Sequence, residues 1–320
     1  MPKPTAKSKH HSAVSKTNNH TQPKVKTKSN ILDIKVKTRK NLPDVWRLSK
    51  TACLVLWKYR LLLGGIVLIY GLVNFAIVQG FSSGLNVASV NSQVASLFHG
   101  QFKQISSGLL VYALLLSSVG QNSSGNGGGF GYQMVLLIIV SLAIIWAIRT
   151  SSNQAQVRIR DAYYRGMYPL IPFIAILLVI GIELLPMLAG ISIYVIVINN
   201  SIAVTVIEQA LFVLLAVLLS ALTLYFLSSS IFALYIATLP DMTPIKALKS
   251  AKELVKNRRW PILLRLIYLP VALIIVSAIT MLPFIIFVAP IAQWLFLVLV
   301  LVLIALIHSY LYALYRELLV

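Results

Sequence analysis

The sequence predicts an all-α, polytopic bundle of six transmembrane helices, with both termini cytoplasmic and cytoplasmic amphipathic helices beside the membrane. Three observations predict it. Hydrophobic residues make up 58% of the 320 positions and charged residues only 11%, where an ordinary soluble domain carries about 25% charged. The apolar residues gather into six runs, and crossing a hydrocarbon core of about 30 Å takes about 20 helical residues. Of the 28 Lys and Arg residues, a six-span threading leaves only Lys103 opposite the rest, which is the asymmetry that cytoplasmic segments impose.

In chain order, the first element is a basic tail over residues 1–40. Its first 30 residues mix Lys, Ser, Thr, Pro, Asn and His with a few small aliphatics, which cannot bury enough apolar area to fold. No apolar core of 7–15 residues and no small-residue cleavage site mark a signal peptide, so the first span stays as an anchor. His10, His11 and His20 lie in this tail without carboxylate or cysteine partners, and no metal or cofactor is assigned. The single cysteine, Cys53, allows no internal disulfide. A formal charge of +20 and a pI near 10.1 would fit a nucleic-acid binder. Yet 15 of the 28 basic residues fall within 1–60 and most others flank apolar runs, while the tail lacks interleaved aromatics for base stacking. Nucleic acid is therefore not the expected partner.

The membrane domain occupies 41–320, with spans near 61–79, 133–149, 169–197, 208–238, 262–287 and 290–314. The second is short; the third and fourth exceed the bilayer and must tilt, kink or project. Pro186 is the predicted kink in the third. Pro270 and Pro283 in the fifth require neighbouring helices or hydroxyls to satisfy the freed carbonyls. Residues 149–168 carry Arg149, Arg158, Arg160 and Arg165 against Asp161, and residues 239–261 carry six bases against Asp241 and Glu253, so both loops are expected in the cytoplasm. The extracytoplasmic loop 80–132 carries only Lys103, Glu208 borders 198–208, and Val288–Ala289–Pro290 is a tight uncharged turn. Within 80–132 the apolar run 105–119 is too short to span comfortably and reads as an interfacial or re-entrant helix, with residues from Val94 leading into it. The glycine-rich stretch 121–131 reads as a flexible link.

Before two outward-going spans the sequence repeats a pattern. Pro43, Ser49 and Tyr59 match Pro244, Ser250 and Trp260 in spacing, and 155–168 ends in a looser version. Three hairpins, each a basic amphipathic helix plus two spans, would produce this; so would chance similarity among apolar, basic segments. In 243–260, Thr243 is the predicted cap and Pro244 the first helical residue, with Ile245, Leu248, Ala251, Leu254 and Val255 on one face. Lys246, Lys249, Lys252, Lys256, Arg258 and Arg259 are then candidate contacts for anionic lipid headgroups, each cation near the surface contributing about 1 kcal/mol. Such a helix serves as a topology collar sealing the bundle, or as a dedicated lipid-binding or coupling element. Membrane lipids are the expected partners, with protein partners or a homo-oligomer left open.

Three stretches carry a resemblance: ThrLeuProAspMetThrProIleLysAlaLeuLysSerAlaLysGluLeuValLysAsnArgArgTrp at 238–260, ArgAspAlaTyrTyrArgGly at 160–166, and AlaLeuTyrArgGluLeu at the end of the last span. Over about residues 40–320 the chain resembles the six-helix membrane domain attached to some bacterial glycerophosphodiester phosphodiesterases, and related stand-alone membrane proteins. The resemblance implies the fold and a bacterial inner membrane. The family's hydrolase domain has no counterpart before Val320, so phosphodiesterase activity is not carried over.

Nor do the residues indicate an enzyme. There is no Walker glycine loop, no HisGluXaaXaaHis and no Gly-Xaa-Ser-Xaa-Gly elbow, and eight carboxylates in all leave little for a paired-carboxylate site. Ionisable residues at membrane depth are the remaining pointers: Glu183, Arg265 and His308. Arg265 is close enough to the cytoplasmic headgroups to snorkel, and His308 to donate to a neighbouring carbonyl. Glu183 is either hydrated near the outer interface or faces the bundle, where it would hold a proton or a cationic substrate. The expected function is thus a non-enzymatic scaffold or accessory subunit of the cell envelope. The alternatives are a transporter or lipid-moving protein using Glu183, and a tether binding nucleic acid or ribosomes through the tail.

Overall fold

The computed structural model describes residues 43–76, 103–118, 128–152, 157–200, 202–203, 205–240 and 242–319. The basic tail, its three histidines, the first part of the loop after the first span and most of the glycine-rich link lie outside the described residues. Every regular element among the described residues is helical: α1 (Val45–Lys58), α2 (Arg60–Asn74), α3 (Lys103–Ser118), α4 (Gly128–Ser152), α5 (Ile159–Gly166), α6 (Leu170–Asn199), α7 (Val206–Ala237), α8 (Pro244–Val255), α9 (Arg259–Phe287) and α10 (Ala289–Leu319). Five helices, in α4, α6, α7, α9 and α10, are long and apolar enough to cross a membrane, and α1 and α2, bent by 82° at their junction, make a sixth if taken together. The chain is a polytopic all-α membrane bundle.

The elements fall into three like units. Each begins with an amphipathic helix (α1, α5, α8), continues into one span (α2, α6, α9) and returns by another (α4, α7, α10), with α3 inserted in the first unit. The two spans of each unit pack on each other, and each amphipathic helix packs on the returning span of the unit before it: α5 on α4, α8 on α7 and, closing the circle, α1 on α10. The outgoing spans follow the same rule, α2 against α10, α6 against α4 and α9 against α7.

Local chemistry explains why the amphipathic helices seat alike. Asp44 and Thr243 cap α1 and α8 through their side chains, and Arg158 precedes α5 in extended conformation. At four and eight residues past each of these positions the side chain is buried and mostly small: Leu48 and Ala52, Ala162 and Gly166, Ala247 and Ala251. Residues four apart share one helix face, and in membranes small residues permit the close backbone approach on which helix packing depends. Gly166 shows how close: a Cβ there would sit 3.1 Å from the Ala143 Cα of α4.

This shared register differs from the sequence match. Thr243 and Arg258, the N-caps of α8 and α9, stand 199 positions after Asp44 and Tyr59, the N-caps of α1 and α2. Matching Pro43 with Pro244 sets the two helices two residues out of step, because proline sits before the cap in one and after it in the other. The buried stripe of α8 also shifts: it runs through Ala247, Ala251 and Val255, with Leu248 and Leu254 beside it, whereas Ile245 is 80% exposed.

Two further expectations change. The helix of the second span starts at Gly128, earlier than 133, while α3 falls on the apolar run 105–119 that reads as a helix too short to span. One face of α3, with Val111, Tyr112 and Leu115, is buried against Met281 and Ile285 of α9 and Ala292 and Phe296 of α10. Tyr112 bonds Ser277 and donates to the Ile274 carbonyl, so α3 is part of the bundle. The turn between the last two spans is tighter than expected, with only Val288 between α9 and α10.

Burial is concentrated at one end. The ends of α4, α7 and α10 and the three amphipathic helices supply most of two large core clusters. By contrast, from Leu178 to Leu222 along the α6–α7 hairpin the side chains are chiefly exposed and apolar. There the two helices touch mainly each other and approach closely at Gly190, whose Cβ would meet the Ala216 Cα at 3.2 Å.

Candidate functional site

The three returning spans meet in a polar contact. His308 of α10 stands between Tyr235 of α7 and Ser141 of α4, with 3.3 Å from its Nδ1 to the tyrosine hydroxyl and 3.1 Å from its Nε2 to the serine Oγ. One neutral imidazole satisfies both contacts, accepting from one hydroxyl and donating to the other. Tyr235 and Ser141 are buried, and Tyr235 stacks on Tyr315 at 5.9 Å between ring centroids. His308 is thus bonded to side chains, not to the carbonyl the sequence suggested. The serine–histidine pair carries no carboxylate on the second ring nitrogen, where Tyr235 sits instead, and neither cavity described below is lined by it.

Arg265 is bonded to two backbone carbonyls. Its Nε and Nη2 donate to the Pro43 carbonyl at 3.2 and 2.7 Å, and its Nη1 donates to the Pro261 carbonyl at 2.7 Å. Tyr310 donates to the Arg265 carbonyl at 3.2 Å. The guanidinium fork therefore clasps the start of α1 to the start of α9, which closes the circle of units. Arg149 has a like role at the end of α7, where its Nη1 donates to the Thr238 carbonyl at 2.8 Å; a cation satisfying last-turn carbonyls also complements the helix dipole.

Glu183 lies in the α6–α7 seam. Ser230 donates to its Oε1 at 2.6 Å, and its Oε2 is buried without a hydrogen-bond partner. One turn further on, the Met187 N–H, just past Pro186, donates to the Thr223 hydroxyl at 3.2 Å. Hydroxyls of α7 thus serve both the carboxyl group and the backbone beside Pro186 of α6. Glu183 faces its partner helix.

The bases of α8 and its exit lie at the surface. Lys246, Lys249, Lys252 and Lys256 are exposed, with Arg258 and Arg259 half-buried where α8 gives way to α9. The break turns at Asn257, which takes a left-handed φ of 66°, a conformation asparagine tolerates better than most residues. Arg259 lies 4.2 Å over the Tyr225 ring. Glu183, His308 and Arg265 bond to different partners: Ser230, then Tyr235 and Ser141, and the Pro43 and Pro261 carbonyls. Among the described residues no group of three or more His, Cys, Asp or Glu is placed to hold a metal.

Open cavities occur among the described residues. One, of about 900 Å³, lies beside the α1–α2 elbow; another, of about 480 Å³, is an apolar groove along the outer α6–α7 seam between Tyr194 and Val213. No family model, curated protein or solved structure matches the chain, so the likeness to the phosphodiesterase membrane domain rests on the stretches quoted above.

Proposed function

We propose that this membrane protein is a non-enzymatic scaffold or accessory subunit of the bacterial inner membrane, with both termini and the three amphipathic helices in the cytoplasm. One observation carries the reading: His308, Tyr235 and Ser141, polar side chains of three different spans, are bonded to one another across helices. Groups used this way fix helix positions and leave no set of donors and acceptors converging on a substrate. The Lys/Arg distribution supports the orientation, and the exposed bases of α8 support anionic lipid as its surroundings. The bacterial assignment rests on the resemblance.

The buried, unpartnered Oε2 of Glu183 favours a second reading, in which that carboxyl group binds a proton or a cation during transport. Ion, amphiphile and lipid flux in proteoliposomes of wild type and Glu183→Gln separates the two. The scaffold reading predicts no flux in either protein; wild-type flux abolished by the substitution would replace it with transport.

A further inference from the structure

Where the chain turns 82° from α1 into α2, the 900 Å³ cleft opens between that elbow and Ser151 of α4, with Arg158 and Asp161 at the start of α5. Lys58, Arg60 and Arg158 line it together with one acid, Asp161, which leaves the cleft a surplus of two positive charges. The three cations are exposed. Lys58 lies 5.3 Å over the Tyr59 ring and Arg60 lies 4.9 Å over the Trp57 ring, and among the described residues no carboxylate forms an ion pair with any of the three. The Tyr59 hydroxyl, donating to the Ser151 carbonyl at 2.9 Å, holds the elbow against α4.

From the cleft an apolar track runs up the first span. Leu61, Leu68 and Leu72 are 85%, 57% and 62% exposed, and steps of seven and four place them on one face of α2. At 1.5 Å per residue the track is about 16 Å long, roughly the length of an acyl chain in one leaflet of a 30 Å hydrocarbon core. Exposed Trp57 stands at the mouth, the level at which indole rings settle in bilayers.

The geometry points to a site for one phospholipid whose headgroup bears two negative charges, its phosphate held by Lys58, Arg60 and Arg158 and one acyl chain lying on Leu61, Leu68 and Leu72. The charge surplus of the cleft matches a dianion, and the track answers to a lipid rather than to a free anion. The site uses none of the bases of α8 and depends only on α2 lying in the membrane.

Native mass spectrometry of the full chain in detergent micelles, titrated with phosphatidic acid or phosphatidylcholine, reads the site directly. Wild type retains one phosphatidic acid in preference to phosphatidylcholine. Removing a cation that contributes about 1 kcal/mol weakens retention about fivefold, so Lys58→Gln/Arg60→Gln/Arg158→Gln weakens it by about a hundredfold, while Lys246→Gln/Lys249→Gln changes it less than twofold. Asp161→Asn tightens it several-fold, a gain that a misfolded variant would not show. Millimolar inorganic phosphate leaves the lipid in place. Equal retention by the triple variant, no gain from Asp161→Asn, or displacement by inorganic phosphate would each overturn the site.

Discussion

At the scale of single residues, the membrane changes what a hydrogen bond decides. Helices in lipid gain little from burying apolar surface against each other, so small-residue packing and interhelical bonds select the arrangement. Tyr235→Phe removes one of the two bonds to His308, and interhelical bonds of this kind contribute about 0.6 kcal/mol on average and about 1.7 at most. Denaturant titration in mixed micelles should show a loss in that range. No loss would mean that the three returning spans are positioned by packing alone. Outside the spans, Tyr163 of α5 donates to the Ile66 carbonyl at 2.6 Å, and burial pushes its hydroxyl up to about 12. It therefore stays a donor throughout the physiological range, and Tyr163→Phe is expected to cost about 1 kcal/mol, independent of pH between 6 and 9. His308, Arg265 and Glu183 were visible in the sequence because charge-bearing residues are rare at membrane depth. Ser141, Tyr235, Ser230 and Thr223 were not, since hydroxyls are ordinary in spans and only the folded chain shows which of them face a partner.

At the scale of elements, the three amphipathic helices are set by a small residue eight positions past the cap: Ala52, Gly166 and Ala251. Ala251→Leu forces a larger side chain into the α7 seam, and overpacking of this kind costs about 1–3 kcal/mol. Hydrogen exchange should rise across α8 in that variant, whereas Ile245→Ser, on an exposed side chain, should leave it unchanged. Protection lost equally in both would show that α8 is held by its apolar face at large rather than by the alanine seam. The 3.6-residue period revealed α8 and its cap at Thr243. It could not place Ile245 correctly, because the period locates an apolar stripe to within about one residue and the close approach to α7 decides its centre. Likewise Pro43 and Pro244 suggested the repeat in a register two residues off. Proline is accepted on either side of an N-cap, so its position alone does not fix a helix start.

At the scale of the whole molecule, the five or six long apolar helices were legible, because length and hydropathy are properties of the sequence itself. The closed circle of three units was only half legible. Sequence spacing hinted at three hairpins, but the packing of each amphipathic helix on the preceding returning span, and of α1 on α10, is a long-range outcome with no local signal. The same circle explains the Arg265 clasp: Pro43 lies 222 positions away in sequence and adjacent in the fold. Arg265→Leu should therefore loosen α1, and limited proteolysis near Val45 should accelerate several-fold while cleavage within α8 stays unchanged. Acceleration in both regions alike would show that the clasp serves the bundle generally.

The central claim is that α1, α5 and α8 are equivalent and share one face of the membrane, and the chain supplies its own reporter. Cys53, exposed on α1, is the only cysteine. In intact cells and in inverted vesicles, a membrane-impermeant maleimide tests Cys53, and then Tyr164→Cys and Lys249→Cys, each in a Cys53→Ser background. All three positions are expected to react in inverted vesicles and to be protected in intact cells. Reaction of any one of them from the opposite face would contradict the threading and the three-unit arrangement built on it.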